Sequence, residues 1–122
     1  MVSPALLQFI RRCVDSIETL EILLLLQRTP ETFWTPAAID SQLGMKQGAA
    51  AKRLARLADE QLVVTGSSGA FRYAPRDEED RATVAALTTA YADQRASVVN
   101  AVFSENLERL RAFSDAFRMK DQ

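Results

Sequence analysis

The chain has no histidine in its 122 residues and only one cysteine, Cys13. Histidine is the commonest general base for a serine or cysteine nucleophile, so its absence removes the usual catalytic pairs. With one thiol and no imidazole, two zinc-ligand types are nearly absent, so a structural or catalytic zinc is not expected. A lone cysteine closes no internal disulfide, which fits a reducing compartment. There is no glycine-rich loop with a lysine between strand and helix to cradle nucleotide phosphates. Long apolar runs are missing too. Ile22-Leu23-Leu24-Leu25-Leu26 is the longest, far short of the roughly 20 residues that span a bilayer. Met1-Val2-Ser3-Pro4 carries no basic leader region, and Arg11-Arg12 interrupt the apolar stretch after it. These absences predict a cytoplasmic protein without catalytic activity, metal, cofactor or membrane segment.

What is present points to a globular, mainly helical chain. Hydrophobic residues make up 48% and charged residues 25% of the sequence, with four glycines and four prolines, a balance that supports a packed core rather than disorder. The net charge of −1 is unevenly spread. Met1 to Phe33 holds three basic and four acidic residues, Trp34 to Arg76 six and three, and Asp77 to Gln122 six and nine. The positive excess therefore falls in the middle segment, where a basic stripe could hold phosphates even on a neutral protein.

Local signals divide the chain into elements. Ser3-Pro4 is a hydroxyl cap followed by proline at the first helical position, opening a helix to Cys13. Asp15, with Glu18 closing a capping box, predicts a second helix from Ile17 to about Gln27, apolar on most sides and hence central. Phe33-Trp34 reads as a short extended piece. Thr35-Pro36 repeats the cap-plus-proline signal for a short helix ending at Leu43-Gly44-Met45, where Gly44 can turn the chain in the left-handed region. A further helix is expected over Lys46 to Gln61, with Ala50, Leu54 and Leu57 inward. Leu62-Val63-Val64 and Phe71-Arg72-Tyr73 are β-prone runs joined by Gly66-Ser67-Ser68-Gly69, a hairpin. From Asp77 onward the pattern is helical. Asp77-Glu78-Glu79-Asp80 is an acidic first turn favoured by the helix dipole rather than a calcium loop. Val84, Leu87, Tyr91, Val98 and Val102 mark one stripe, and Phe103, Leu107, Leu110, Phe113 and Phe117 another. The stripes differ in phase, and Ser104 is the expected cap of a separate last helix.

This order predicts a mainly α winged helix-turn-helix domain over residues 1–76, with a three-helix core and a β-hairpin wing. A C-terminal helical dimerisation extension comes next, over 77–122. The second helix of such a unit is shaped to enter a DNA major groove. Lys46 and Gln47 lie where base edges are met, and a Gln amide can pair bidentately with adenine. Thr35, Lys52, Arg53, Arg56 and Arg72 are the expected phosphate contacts, with Gly48, Lys52, Ala55 and Arg56 facing outward. The apolar stripes predict a homodimer built on Leu6, Phe9, Val84, Leu87, Tyr91, Val98, Val102, Leu110 and Phe113. The alternative use of the same architecture is a protein-interaction adaptor or accessory subunit that does not bind DNA.

Leu43-Gly44-Met45, then Ala50, Leu54 and Leu57, then Leu62-Val63-Val64 and Phe71-Arg72-Tyr73-Ala74-Pro75 resemble bacterial winged helix-turn-helix regulators of the MarR-like kind, over roughly residues 16 to 76. Phe113-Ser114-Asp115-Ala116-Phe117-Arg118 is similar to the endings of small bacterial proteins of this type. The resemblance implies a dimeric transcription factor bound to double-stranded DNA. The recognition helix here has fewer polar readers than that family, and flanking helices able to frame an effector pocket are not expected.

Overall fold

A computed structural model describes residues Val2–Lys120, without the side chains of Arg109 and of residues 113–120. Six helices and a two-stranded antiparallel sheet account for the described chain. Helix α1 runs over Pro4–Cys13. Ser3 caps it by accepting a hydrogen bond from the Leu6 amide, and Pro4 takes the first helical position. Helix α2, Ile17–Arg28, is capped by Ser16, whose Oγ accepts from the Thr19 amide. The capping box expected on Asp15 and Glu18 does not form. Ser16 is the last extended residue before the helix, so its hydroxyl reaches the amide first; Asp15 instead accepts from the Thr19 hydroxyl at 2.6 Å, and both carboxylates also face Arg53 of the later helix. Helix α2 is central: Leu20, Ile22, Leu23 and Leu26 are fully buried.

Helix α3, Pro36–Leu43, starts on Thr35, whose Oγ1 accepts from the Ala38 amide at 3.1 Å. It ends on Gly44 with φ +65°, the left-handed turn foreseen there. Helix α4 spans Ala49–Asp59, three residues shorter at its start than expected. Gly48 at φ +90° holds Lys46, Gln47 and itself outside the helix. Strands β1 (Val63–Thr65) and β2 (Phe71–Tyr73) pair with Val64 opposite Arg72. Trp34 adds a bridge on the far side of β2, exchanging both backbone hydrogen bonds with Phe71 at 2.8 and 2.7 Å.

Helix α5, Glu78–Asp93, is capped by Asp77. The chain breaks at Gln94 and continues as α6 over Arg95–Lys120. The break expected at Ser104 is absent, and Ser104 lies inside α6. Packing sets the position of the break. At about 1.5 Å per residue a continuous helix would carry Val98 some 16 Å beyond Leu87 and away from the body. The reversal at Gln94 returns Val98, Ala101 and Val102 to α1 and α5, where they are buried. One hydrophobic cluster then runs through the molecule from Leu6 and Phe9 to Val84, Leu87, Tyr91, Val98 and Val102. The core is therefore continuous across Asp77, and no boundary between separately packed units falls there.

This corrects the expected dimer surface. Leu6, Phe9, Val84, Leu87, Tyr91, Val98 and Val102 are all buried within the single chain, because α1, α5 and the first half of α6 cover one another. Of the eight with described side chains, only Leu110 is exposed. Phe113, like Phe117, lies outside the described side chains.

Candidate nucleic-acid interface

The surface formed by α3, its turn and α4 is organised by a residue that the sequence did not single out. Asp40, buried on α3, accepts hydrogen bonds from the backbone amides of Gly48 and Ala50, both at 2.9 Å. The Asp40 carbonyl accepts a third, from Met45 at 2.8 Å. Gly48, the cap residue of α4, has no side chain to offer, so a carboxylate eight positions upstream does the capping. The only available signal was an aspartate in the middle of a short helix, succeeded by a helix lacking its own cap. The consequence is electrostatic: the positive end of α4 is already matched by an internal carboxylate, and any phosphate must be held by side chains.

Those side chains fall into two groups. Lys46, Gln47 and Lys52 are exposed, and no ion pair engages either lysine among the described residues. Lys46 and Gln47 stand in the turn ahead of α4 rather than on it. Ala51 and Ala55 are exposed beside Lys52, while Ala50, Leu54 and Leu57 are buried against the body as expected. Thr35 is exposed at the start of α3, and since its oxygen accepts from Ala38, its own proton remains to be donated.

Arg53 and Arg56 are placed differently from the outward position expected for Arg56 and the phosphate role expected for both. Arg53 reaches Glu18 at 3.0 Å and Asp15 at 3.7 Å. Arg56 donates to the Arg12 carbonyl at 3.0 Å and lies 3.8 Å from Asp15. Both are half-buried ties from α4 to α1 and the start of α2. A guanidinium that can satisfy several acceptors within one planar fork settles against them in preference to open solvent. Arg72 of β2 is also half-buried, its guanidinium 5.2 Å from the centre of the Phe33 ring. Phe33 is half-exposed and lies over Gly66, where a Cβ would come within 2.7 Å of the ring. The hairpin base therefore presents an aromatic ring with a cation stacked on it.

Below this surface a second charge cluster joins α1, the end of α4 and the start of α5. Asp80, buried, pairs with Arg12 at 3.0 Å and Arg76 at 3.3 Å, while Arg12 also meets Glu60 at 3.4 Å. Burial alone would lower the Arg12 pKa. Its hydrogen bonds to Asp80 and to the Cys13 sulfur outweigh that and raise it. Cys13 is fully buried, and burial pushes its thiol above the ordinary range despite the adjacent Arg12. Thiolate chemistry is thereby disfavoured.

Helices flank the α2–α4 unit on both sides, and an open cleft of about 360 Å³ lies between α2 and α5, lined by Glu21, Arg28, Thr88, Tyr91 and Arg95 among others. Tyr91 spans it, donating to Glu21 at 3.4 Å beneath the Arg95 guanidinium. Among the described residues no cluster of metal-ligating side chains occurs, and no helix is long and apolar enough to cross a membrane. Comparisons with protein-family models, curated proteins and solved structures give no match.

Proposed function

We propose that this chain is a winged helix-turn-helix protein that binds double-stranded DNA as a homodimer in transcriptional control, with α4 as its recognition helix. One observation carries the reading. Lys46 and Gln47 on the turn before α4, and Lys52 on its outer face, are exposed and without ion pairs among the described residues, and α4 packs against β1 of the hairpin that bears Arg72. The order of elements supports it, with Trp34 bridging the hairpin as the third edge of a small wing sheet. On this reading Gln47 reads a base edge, while Lys46, Lys52 and the Thr35 hydroxyl hold phosphates. Arg53 and Arg56 orient α4 on the body, so few phosphates are neutralised and the salt dependence of binding is shallow for a DNA-binding protein.

The test is a gel shift on promoter fragments and on random DNA. The double variant Lys46→Glu, Lys52→Glu is expected to abolish binding while leaving the thermal unfolding unchanged, since both side chains are exposed. Gln47→Ala is expected to cost about 1–3 kcal/mol at one base pair and to leave binding to random DNA nearly intact. Identical behaviour of wild type and the double lysine variant on every fragment overturns the reading.

The same surface supports a second reading, a protein-interaction adaptor. It is favoured by the neutralisation of Arg53 and Arg56 by Asp15 and Glu18, which leaves exposed Ala51 and Ala55 as a smooth strip on α4. A helix with small residues outward can be approached closely by another helix as well as by a groove.

A further inference from the structure

Most arginines of this chain find a carboxylate within it. Of the ten whose side chains are described, seven form ion pairs. The exceptions are Arg72, stacked on Phe33, and Arg28 and Arg95. Arg28 and Arg95 belong to different helices yet line the same cleft of about 360 Å³ between α2 and α5. That volume falls within the span of small-ligand sites, roughly 300–1,000 Å³. Two guanidiniums without a counter-ion among the described residues therefore meet at one concave place.

The walls of the cleft fix the order of its charges. On α2 they are Glu21, Leu24 and Arg28, at steps of three and four on one helical face. Opposite stand Thr88, Tyr91 and Ala92 of α5 and Arg95, the first residue of α6. Thr88 donates to Gln27 at 3.3 Å and Tyr91 to Glu21 at 3.4 Å, so α2 and α5 pass in opposite directions. Arg28 is thus at the Thr88 end, seven residues or about 10 Å along α2 from Glu21. At the other end the Arg95 guanidinium lies 4.5 Å from the centre of the Tyr91 ring, while the Tyr91 hydroxyl donates to the Glu21 carboxylate. Arg95 and Glu21 flank one ring without forming an ion pair. Leu24 and Ala92 make the stretch between the ends apolar. Along the cleft the order is a lone cation, an apolar stretch, then a cation and an anion about one aromatic ring.

A ligand that matches this order carries a lone carboxylate, a short methylene spacer, then a carboxylate and an ammonium on one carbon. We propose that the cleft between α2 and α5 binds a dicarboxylic α-amino acid. Its side-chain carboxylate meets Arg28, its methylenes lie against Leu24 and Ala92, its α-carboxylate meets Arg95 and its α-ammonium meets Glu21. The charges balance in full: two positive and one negative from the cleft, two negative and one positive from the ligand. Guanidinium forks take carboxylates bidentately, which favours these groups over other anions of equal charge. A dicarboxylate without the ammonium leaves Glu21 facing like charge, and a neutral amino acid leaves Arg28 without a partner.

The proposal does not rest on the DNA reading, and its test uses no DNA. Calorimetric titration of the full chain with L-glutamate is the measurement, checked by the ligand-induced rise in unfolding temperature. L-Glutamate is expected to bind at millimolar concentration or below. Glutarate, which lacks the ammonium, and L-glutamine, which lacks the second carboxylate, are each expected to bind at least tenfold more weakly. Arg28→Gln is expected to weaken glutamate at least tenfold and to erase its advantage over glutamine. Glu21→Gln keeps an acceptor for Tyr91 and is expected to erase the advantage over glutarate. Arg28 is exposed and Glu21 half-buried, so without ligand both variants are expected to unfold with the wild type. A wild type that does not bind glutamate overturns the proposal, as does one that binds glutarate or glutamine equally well. Folded variants that keep the wild-type preferences overturn it too.

Discussion

Asp40 shows how one side chain can set a surface it does not belong to. Its carboxylate closes the turn between α3 and α4 by taking two amides, that of Ala50 buried and that of Gly48 partly so, so removing it strands a buried donor rather than merely deleting contacts. Asp40→Ala is expected to lower stability by about 2–4 kcal/mol in urea unfolding. Asp40→Asn keeps one acceptor oxygen and should lose about half as much. Two glycines nearby are needed for different reasons. At Gly48 there is open space around a Cβ but φ is +90°, so Gly48→Ala costs about 1–2 kcal/mol through backbone strain alone. At Gly66 the obstacle is the Phe33 ring itself. Cys13 makes a separate prediction at this scale. Because burial both hides the thiol and raises its pKa, alkylation at neutral pH should be negligible in the native protein. Its rate should rise only as denaturant opens the core, a comparison that mass spectrometry of the labelled chain makes directly.

At the scale of elements, α4 is held by charge as well as by apolar packing. Ala50, Leu54 and Leu57 supply the packing, and Arg53 and Arg56 anchor the helix laterally to Asp15, Glu18 and the Arg12 carbonyl. Arg53→Glu sets a third carboxylate beside Asp15 and Glu18 and is expected to destabilise the fold by about 1–3 kcal/mol. Lys52→Glu, one position away and fully outward, should change stability by less than about 0.5 kcal/mol. Chemical denaturation of the two variants distinguishes them, and the contrast tests whether the arginines belong to the body or to the surface. The same geometry explains why the basic excess of the middle segment overstated the free positive charge: carboxylates from the preceding segment neutralise part of it.

At the scale of the whole molecule, the decisive feature is the return of α5 and the first half of α6 onto α1 and α2. Val84, Leu87, Tyr91, Val98 and Val102 complete a core that begins at Leu6. A chain ending at Arg76 should therefore expose the apolar faces of α1 and α2 and fail to fold cooperatively, seen as a broad thermal transition and binding of a hydrophobic dye. A chain ending after Asn106 retains every residue of α6 that is buried among the described side chains and should unfold cooperatively.

Much of this architecture was legible residue by residue. Ser3-Pro4, Thr35-Pro36 and Gly44 are local devices whose capping and φ requirements act within a few residues, so the bounds of α1 and the start and end of α3 could be read from the chain alone. The same is true of the hairpin, whose second strand falls on Phe71–Tyr73 as expected and whose first is displaced by one residue. The amphipathic spacing of Ala50, Leu54 and Leu57 identified the buried face of α4 for the same reason: periodicity is a property of the helix itself. Other features depend on partners far along the chain. Asp15 and Glu18 had plausible local roles as caps; Ser16 takes the cap, Asp15 keeps only a bond from the Thr19 hydroxyl, and the approach of Arg53, 35 residues beyond Glu18, gives both carboxylates a partner on α4. Asp40 became a cap because α3 and α4 meet at Gly48. The apolar stripes announced that burial was needed but not whether the same chain or a second copy supplied it. The reversal at Gln94 decided that for Val98 and Val102, and left Phe103, Leu107 and Leu110 in solvent. Local conformational preference is encoded at short range and is readable from sequence, whereas the assignment of charges and apolar faces to their partners is made only when distant segments compete for the same contacts in the folded chain.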